Sequence, residues 1–252
     1  MYKSTMKRRG FLKAAATVPA VGLGMLGVSH KASAGSHGGG HVVVIGGGFG
    51  GTTAAKYIRK FDDSIKVTLI EGNKEYVTCP GSNWVLAGER DLASITHTYT
   101  NLKDKHGVDV IHDWVESIDP EARSVKLKSG DVVTYDRLIV SPGIELQDNV
   151  EGYTADVYDT VPHAWKAGPQ TLLLRDQIQA MEDGGVIVIA PPPNPFRCPP
   201  GPPERISMVA HYLKQHKPKS KILALDAKDA FSKQGLFIQG WENCMAMGPI
   251  IA

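Results

Sequence analysis

Cysteine is scarce in this chain, with three among 252 residues, and the run Cys-x-x-Cys-His does not occur. Because that run is the attachment site of a c-type haem, any such haem has to be carried by a separate protein. The sequence also contains no recognisable metal-ligand motif. We therefore expect no metal site and no haem on this chain.

Long apolar runs are missing as well. An apolar stretch over Ala14–Val28 is too short to span a bilayer and contains Pro19. It lies between Lys7-Arg-Arg-Gly-Phe-Leu-Lys13 and Ala32-Ser-Ala34, the pattern of a twin-arginine export signal with its cleavage site. We expect residues 1–34 to be this signal and the mature protein to be periplasmic, with no membrane span. A membrane-anchoring helix is the alternative.

Acidic residues are absent from the first 34 positions, which hold six lysines and arginines. The remaining chain keeps 22 of the 28 basic residues against 26 acidic ones, a net charge of −4. It has no basic patch, and we expect it to bind no nucleic acid. The twin-arginine route exports folded proteins, which favours a cofactor inserted before export.

A glycine-rich turn follows the first apolar strand, in His41-Val-Val-Val-Ile-Gly46-Gly-Gly48-Phe-Gly-Gly51. In a dinucleotide-binding βαβ unit Gly46 would allow the tight bend, Gly48 the approach of a pyrophosphate, and Gly51 close packing of helix on strand. The phosphates then lie at the helix N-terminus. The alternative is a glycine-rich turn in some other βαβ unit.

Glu71 ends the next strand, 20 residues beyond Gly51, where such units place the acid that binds a ribose hydroxyl. A carboxylate repels a 2′-phosphate, which disfavours NADP and leaves NAD or FAD. The motif does not choose between these two cofactors.

The remaining pattern predicts an α/β protein. A strand is expected over Gly107–His112, a hairpin over Ser124–Tyr135, a strand from Arg137 and a helix near 171–182. A second βαβ unit is predicted from the strands Gly185–Ala190 and Lys221–Asp226 and the helix Glu204–Gln215 between them. We expect a Rossmann-like FAD-binding domain at 35–160 and an incomplete second dinucleotide-type domain at 161–252.

Eight of the sixteen prolines lie at 191–203, where the second unit would carry its own glycine motif. Proline has no N–H to offer a phosphate, so this unit is predicted not to bind a nicotinamide cofactor. The loop instead carries Cys198 at the carboxyl end of a strand, where α/β sheets place their ligands. We expect Cys198 to be the reactive residue; a buried structural cysteine is the alternative.

Cys79 follows Glu71 closely in the chain and is expected near the cofactor. In an oxidising compartment, a structural disulfide between Cys79 and Cys198 is the alternative to separate functions for the two residues.

The sequence resembles the flavoprotein subunit of flavocytochrome c sulfide dehydrogenase, a relative of the sulfide:quinone reductases. The shared runs are Gly46–Gly51, Thr78-Cys79 with Ser82-Asn83, Tyr135-Asp136-Arg137, Pro162-His-Ala-Trp-Lys-Ala-Gly168, Pro195-Phe-Arg-Cys198-Pro-Pro-Gly201 and Phe231-Ser-Lys-Gln234. The resemblance implies FAD joined to the sulfur of Cys79 and a redox disulfide that contains Cys198. It also implies sulfide as the substrate and a c-type cytochrome subunit as the electron acceptor.

This resemblance fades after Glu242, and we expect the chain to be truncated relative to the family. The residues after Glu242 include Cys244, to which we assign no role. Two further functions stay open beside the sulfide dehydrogenase. One is an inactive FAD-binding fragment, and the other is a sulfide:quinone oxidoreductase.

Overall fold

A computed structural model describes residues 39–147 and 150–244. The twin-arginine signal predicted for residues 1–34 lies outside the described residues. So does the part of the tail beyond Cys244.

The described chain alternates strands and helices. The strands are β1 (His41–Ile45), β2 (Lys66–Ile70), β3 (Glu75–Val77), β4 (Thr96–Thr98), β5 (Asp109–Ile111), β6 (Val115–Asp119), β7 (Ser124–Leu127), β8 (Val132–Thr134), β9 (Arg137–Val140), β10 (Val186–Ile189) and β11 (Lys221–Ala224). The α-helices are α1 (Phe49–Phe61), α2 (Ser82–Leu86), α3 (Thr100–His106), α4 (Pro169–Ala180), α5 (Gly201–His216) and α6 (Gln234–Cys244). Short 3-10 helices cover Leu92–Ile95 and Ala155–Val157.

A four-stranded parallel sheet in the order β5-β2-β1-β9 forms the centre of the first half. Strand β1 is apolar after His41 because both of its faces are covered, and the adjacent Val43 and Val44 are both fully buried. Val44 packs with Ala55 of α1 and with Tyr99, which precedes α3. Val43 packs on the opposite face against Val125 of β7.

That opposite face is covered by the antiparallel sheet β6-β7-β8. The predicted hairpin is confirmed as β7 and β8. Gly130 adopts a φ of +98° in its turn, a conformation that favours glycine. The sheet that contains β1 is therefore the middle of three layers, with helices on one face and the antiparallel sheet on the other. The α/β fold predicted from the sequence is confirmed.

A parallel pair of strands, β10 and β11, is joined by α5 in the second half. Ile206 and Val209 of α5 are buried against Ile222 of β11 and Ile178 of α4. The second βαβ unit is confirmed, with one correction: α5 begins at Gly201, three residues before the predicted Glu204. Its first turn includes Pro202 and Pro203, where a missing backbone N–H costs no helical hydrogen bond.

The division between the two predicted domains near residue 160 falls in the connection between β9 and α4, which contains one short 3-10 helix among the described residues. That boundary stays a prediction.

Two adjacent glycines of α1 offer a matched test of the packing of α1 on β1. A Cβ on Gly51 would lie 1.8 Å from the carbonyl oxygen of Gly46, whereas a Cβ on the exposed Gly50 would meet only Ser141, at 3.4 Å. We expect Gly51→Ala to lower the free energy of unfolding by about 1–3 kcal/mol. Gly50→Ala should be neutral or raise it by up to about 1 kcal/mol, because alanine favours helix. Equilibrium denaturation measures both, and equal stability of the two variants would contradict the close packing.

Candidate functional site

Gly46 is the first residue after β1, at the point where the chain passes between the ends of β2 and β9. Its N–H donates to the carbonyl oxygen of Ile70 at 2.9 Å, and its φ is +99°. A Cβ here would lie 2.0 Å from the carbonyl oxygen of Ser141. Only glycine fits this backbone, so the predicted bend is fixed by a hydrogen bond on the side of Ile70 and by a steric limit on the side of Ser141.

Gly48 is the residue before α1, and its φ of −76° is ordinary for any residue. A Cβ on Gly48 would approach only the ring of Tyr76, at 3.5 Å. Nothing described in the chain itself therefore demands glycine here, so the reason predicted for it, close approach of a phosphate, stays a prediction. The first turn of α1 has no capping side chain and no acidic residue, which suits an anion at its N-terminus.

Glu71 holds the glycine loop from the end of β2. Its Oε2 accepts a hydrogen bond from the N–H of Gly47 at 2.6 Å, and its Oε1 accepts from the backbone and side chain of Asn73 at 2.9 and 2.8 Å. The hydroxyl of Tyr99 donates to the carbonyl oxygen of Gly47 at 3.2 Å. Both polar groups of Gly47 are thus engaged.

Gly47 and Tyr99 were not predicted as functional residues. A Cβ on Gly47 would lie 2.3 Å from the hydroxyl of Tyr99 and 2.7 Å from Cγ of Glu71, so glycine is required here too. Burial, with a smaller effect of the charge on Glu71, raises the pKa of Tyr99 far above its usual value. Tyr99 is therefore a neutral donor to the loop at any physiological pH.

Cys79 lies just after β3 and is exposed, with a free thiol. Withdrawal of the sulfur from water raises the pKa of this thiol, and a hydrogen bond with Ser82 and the positive charge of Arg205 oppose that rise. Burial is the main cause that raises the pKa of Tyr76, and the charges of Cys79 and Glu71 raise this pKa further. Tyr76 in turn packs edge-on against Phe49 of the glycine loop, at 5.7 Å between ring centroids.

Cys198 lies in the proline-rich loop between β10 and α5, and its thiol is exposed and free. Its φ is +56°, a conformation rare outside glycine, and its carbonyl oxygen accepts the N–H of Gly201 at 2.8 Å. The alternative of a buried structural cysteine is therefore wrong. The alternative disulfide with Cys79 is not formed, although Cys198 is close enough to raise the pKa of Cys79.

Arg205 is a third group at this site, and the sequence did not predict it. It is 5% exposed, and its guanidinium lies 3.5 Å from the ring centroid of Trp165. Its Nε donates to Oδ1 of Asn83 at 3.0 Å, and its two terminal nitrogens donate to the carbonyl oxygens of His163 and Ala164, each at 2.7 Å. Burial lowers the pKa of Arg205 to about 10, so it is charged at neutral pH.

Asn83 is hydrogen-bonded to both Arg205 and Glu204. Its Nδ2 donates to Oε2 of Glu204 at 3.2 Å while its Oδ1 accepts from Arg205. The sequence held one signal for the cluster: Arg205 is a charged residue on the apolar stripe of α5 that includes Ile206, Val209 and Leu213. The structure therefore brings together Cys79, Cys198 and the runs around Asn83 and Trp165, which are far apart in sequence.

Residues 39–147 and 150–244 contain neither a metal-binding cluster nor a membrane-spanning helix. No group of three or more histidine, cysteine or acidic side chains is placed to hold a metal ion within these ranges. No helix within them is both long and apolar enough to cross a membrane.

Family models match both halves of the chain. The model of the pyridine nucleotide-disulphide oxidoreductases matches residues 40–171. The model of the central part of the sulfide dehydrogenase [flavocytochrome c] flavoprotein chain matches residues 171–250. The second match includes Cys244 and continues beyond Glu242, so the expectation that the resemblance fades there is wrong.

Individual relatives agree with these models. The chain is 64% identical over 44 residues to the sulfide dehydrogenase [flavocytochrome c] flavoprotein chain of Chlorobaculum thiosulfatiphilum, which is 18% of this chain and 92% of that sequence. It is 35% identical over 112 residues to the sulfide-quinone reductase of Aquifex aeolicus, 44% of this chain and 26% of that protein. The resemblance stated from the sequence is confirmed.

Solved structures show the same fold. The sulfide:quinone oxidoreductase of Aquifex aeolicus superposes with a TM-score of 0.61 at 27% identity, covering 75% of this chain and 43% of that one. NDH2 of Plasmodium falciparum superposes with a TM-score of 0.63 at 15% identity, covering 82% and 46%, and this likeness concerns the fold alone. The chain thus spans less than half of each of these two structures.

The free thiols can be tested by alkylation of flavin-free protein in a Cys244→Ser background. We expect iodoacetamide to label both Cys79 and Cys198 without prior reduction, because neither is in a disulfide. Labelling of Cys79 should rise with pH to a midpoint above 9, the ordinary value for a thiol, because a raised pKa leaves less thiolate at any given pH. Peptide mass spectrometry measures each rate. Labelling that needs a reductant would indicate the disulfide instead.

Proposed function

We propose that this chain is the flavoprotein part of a sulfide dehydrogenase. The proposal starts from its family: the chain belongs to the pyridine nucleotide-disulphide oxidoreductases and is a sulfide:quinone-reductase-like flavoprotein. The observation that carries the proposal is the placement of two free cysteines, Cys79 and Cys198, at one site beside a dinucleotide-type glycine loop. The relatives named above supply the substrate class, sulfide.

FAD is the cofactor that the residues fit. Gly48 would border its pyrophosphate at the N-terminus of α1, where Gly46 allows the bend and Gly51 the close packing of α1, and Glu71 would face its adenosine ribose. The fit rests on Gly48, whose missing side chain leaves the helix N-terminus open although the chain itself does not require glycine there. NAD as a second cofactor is disfavoured in the second βαβ unit, where Pro202 and Pro203 begin α5 without N–H groups.

Cys79 is proposed to carry the FAD through a thioether to its 8α-methyl carbon. Attachment forms one C–S bond and breaks the thiol S–H bond and one methyl C–H bond. Both protons would leave to solvent, and the two electrons would pass through the bound flavin to the electron acceptor proposed below. The position of Cys79 supports this, because Tyr76 connects it to the glycine loop.

Cys198 is proposed to be one half of a redox disulfide that oxidises sulfide. Hydrosulfide attacks the disulfide, which leaves a persulfide on one sulfur and a thiolate on the other. Release of zero-valent sulfur yields two electrons and one proton for each hydrosulfide. When bound, FAD supplies the coupling of this two-electron step to one-electron carriers. The exposure of Cys198 at the end of β10 supports access by a small anion.

The electron acceptor is proposed to be a separate c-type cytochrome subunit, since this sequence has no haem-attachment run of its own. A quinone is the alternative, favoured by the named quinone reductases among the relatives. We propose the periplasm as the location, on the basis of the paired Arg8 and Arg9. Cell fractionation of the exported protein checks it.

A flavoprotein fragment that binds FAD without oxidising sulfide is the second candidate. The observation that favours it is that neither Cys79 nor Cys198 is in a disulfide. A chain in which Cys198 lacks a partner sulfur would bind FAD and give no reaction with sulfide.

Covalent attachment is tested by acid precipitation. We expect the unmutated protein to keep its yellow chromophore in the precipitate, and Cys79→Ser to release it into the supernatant, because serine cannot form the thioether. Cys198→Ser is the matched control and should retain the chromophore. Absorbance of the two fractions measures the outcome. Complete release of the chromophore from the unmutated protein would refute the covalent bond and would be consistent with noncovalent binding of FAD.

Turnover is tested in the whole protein that contains this chain, with cytochrome c and a short-chain quinone assayed side by side. Cys198→Ser should lower sulfide-dependent reduction of either acceptor by at least about a thousandfold while FAD stays bound, because a redox step through the missing sulfur cannot occur. Substantial sulfide-dependent reduction by this variant would show that sulfide oxidation does not require Cys198. No activity in the unmutated protein would favour the inactive fragment, and reduction of quinone alone would exclude the cytochrome.

A further inference from the structure

Arg205 is a buried cation held by neutral groups. Its three hydrogen bonds end on one amide oxygen and two backbone carbonyls, and its planar face lies on Trp165. Among the described residues, no carboxylate lies within 4.0 Å of it as an ion pair. Burial of a charge without an ion-pair partner is costly, so the structure around Arg205 is expected to serve a purpose beyond packing.

The acceptors of Arg205 come from two separate segments of the chain. Asn83 belongs to α2, which follows Cys79 directly, and His163 and Ala164 belong to the connection before α4. The N–H of Ser82 donates to the carbonyl oxygen of Cys79 at 3.0 Å, so α2 and Cys79 form one hydrogen-bonded turn. The guanidinium of α5 therefore fixes this turn.

Other charged or titratable groups also act on the thiol of Cys79. Arg205 favours its thiolate form, whereas Glu204 and Cys198 disfavour it, and Tyr76 lies on the side of the glycine loop. Arg205 is the one cation among these groups. The carboxylate of Glu204 is held by Asn83, the same side chain that accepts from Arg205.

We propose that Arg205 is the positioning residue for Cys79: the hydrogen bonds of its guanidinium hold the turn that carries this thiol in the place where FAD attaches. The inference rests on the proposed attachment of FAD to Cys79. It adds that α5, the helix that follows Cys198, prepares the attachment site.

The test compares Arg205→Met, which removes the charge at similar length, with Arg205→Lys, which keeps the charge and loses the fork. Arg175→Met on the partly exposed face of α4 is the control. Flavin-free full chain from a riboflavin-starved host is alkylated across pH in the Cys244→Ser background. We expect Arg205→Met to shift the midpoint of Cys79 upward and to slow its labelling at pH 8 about threefold to tenfold. Arg205→Lys and Arg175→Met should keep the unmutated midpoint.

The acid-stable flavin content is then measured after loading with FAD. Both Arg205 variants should lose at least about two thirds of it, whereas Arg175→Met should retain it, because attachment needs both the charge and the position. Circular dichroism confirms folding, and Arg205→Lys decides the positioning role if Arg205→Met does not fold. An unchanged Cys79 midpoint in folded Arg205→Met, or full flavin content in Arg205→Lys, would overturn the proposal. Absence of acid-stable flavin in the unmutated protein would instead refute attachment at Cys79, and the alkylation midpoint still decides whether Arg205 acts on this thiol.

Discussion

The narrow exit of the chain from β1 is the constraint on which the first half depends. Strands β2 and β9 flank β1, and the carbonyl oxygens of Ile70 and Ser141 approach Gly46 from the two sides. One oxygen accepts a hydrogen bond, and the other leaves room only for a hydrogen atom on Cα. The chain must therefore turn sharply here, and α1 begins three residues later with its N-terminus directed at the end of the sheet. Gly47, Glu71 and Tyr99 then complete a loop whose backbone is held before any ligand binds.

A second constraint links the two βαβ units. Breaking the contacts of a buried charge typically costs about 3–5 kcal/mol, so the acceptors of Arg205 are not easily separated from it. Because these acceptors lie on α2 and on the connection before α4, the guanidinium restrains both segments against α5. Trp165 shields the cation from water, which strengthens each of these hydrogen bonds. The region around Cys79 therefore depends on a residue 126 positions away in the sequence.

Apolar runs with clear ends could be predicted from the sequence, and short segments without such a run could not. Strands β1, β2, β10 and β11 are apolar runs with clear ends, and the pattern located them within two residues. Strands β3 and β4 have three residues each and α2 has five, and none of the three is a continuous apolar run, so neither periodicity shows. At the site, the glycine loop and both cysteines were predicted because their motifs are local. The partners of Arg205 were not, because they come from two segments distant from Arg205 and from each other and meet it only in the folded chain.

The two βαβ units have the same topology and different residues at the start of the helix. In the first, Gly50 and Gly51 lie in the first turn of α1 and carry backbone N–H groups. In the second, Pro202 and Pro203 occupy the corresponding turn of α5 and present none. The positive φ of Cys198 turns the chain three residues before α5 begins, and its exposed thiol lies in that loop. The two units therefore share a topology and differ in the backbone N–H groups at the start of the helix, the groups by which a helix N-terminus holds a phosphate.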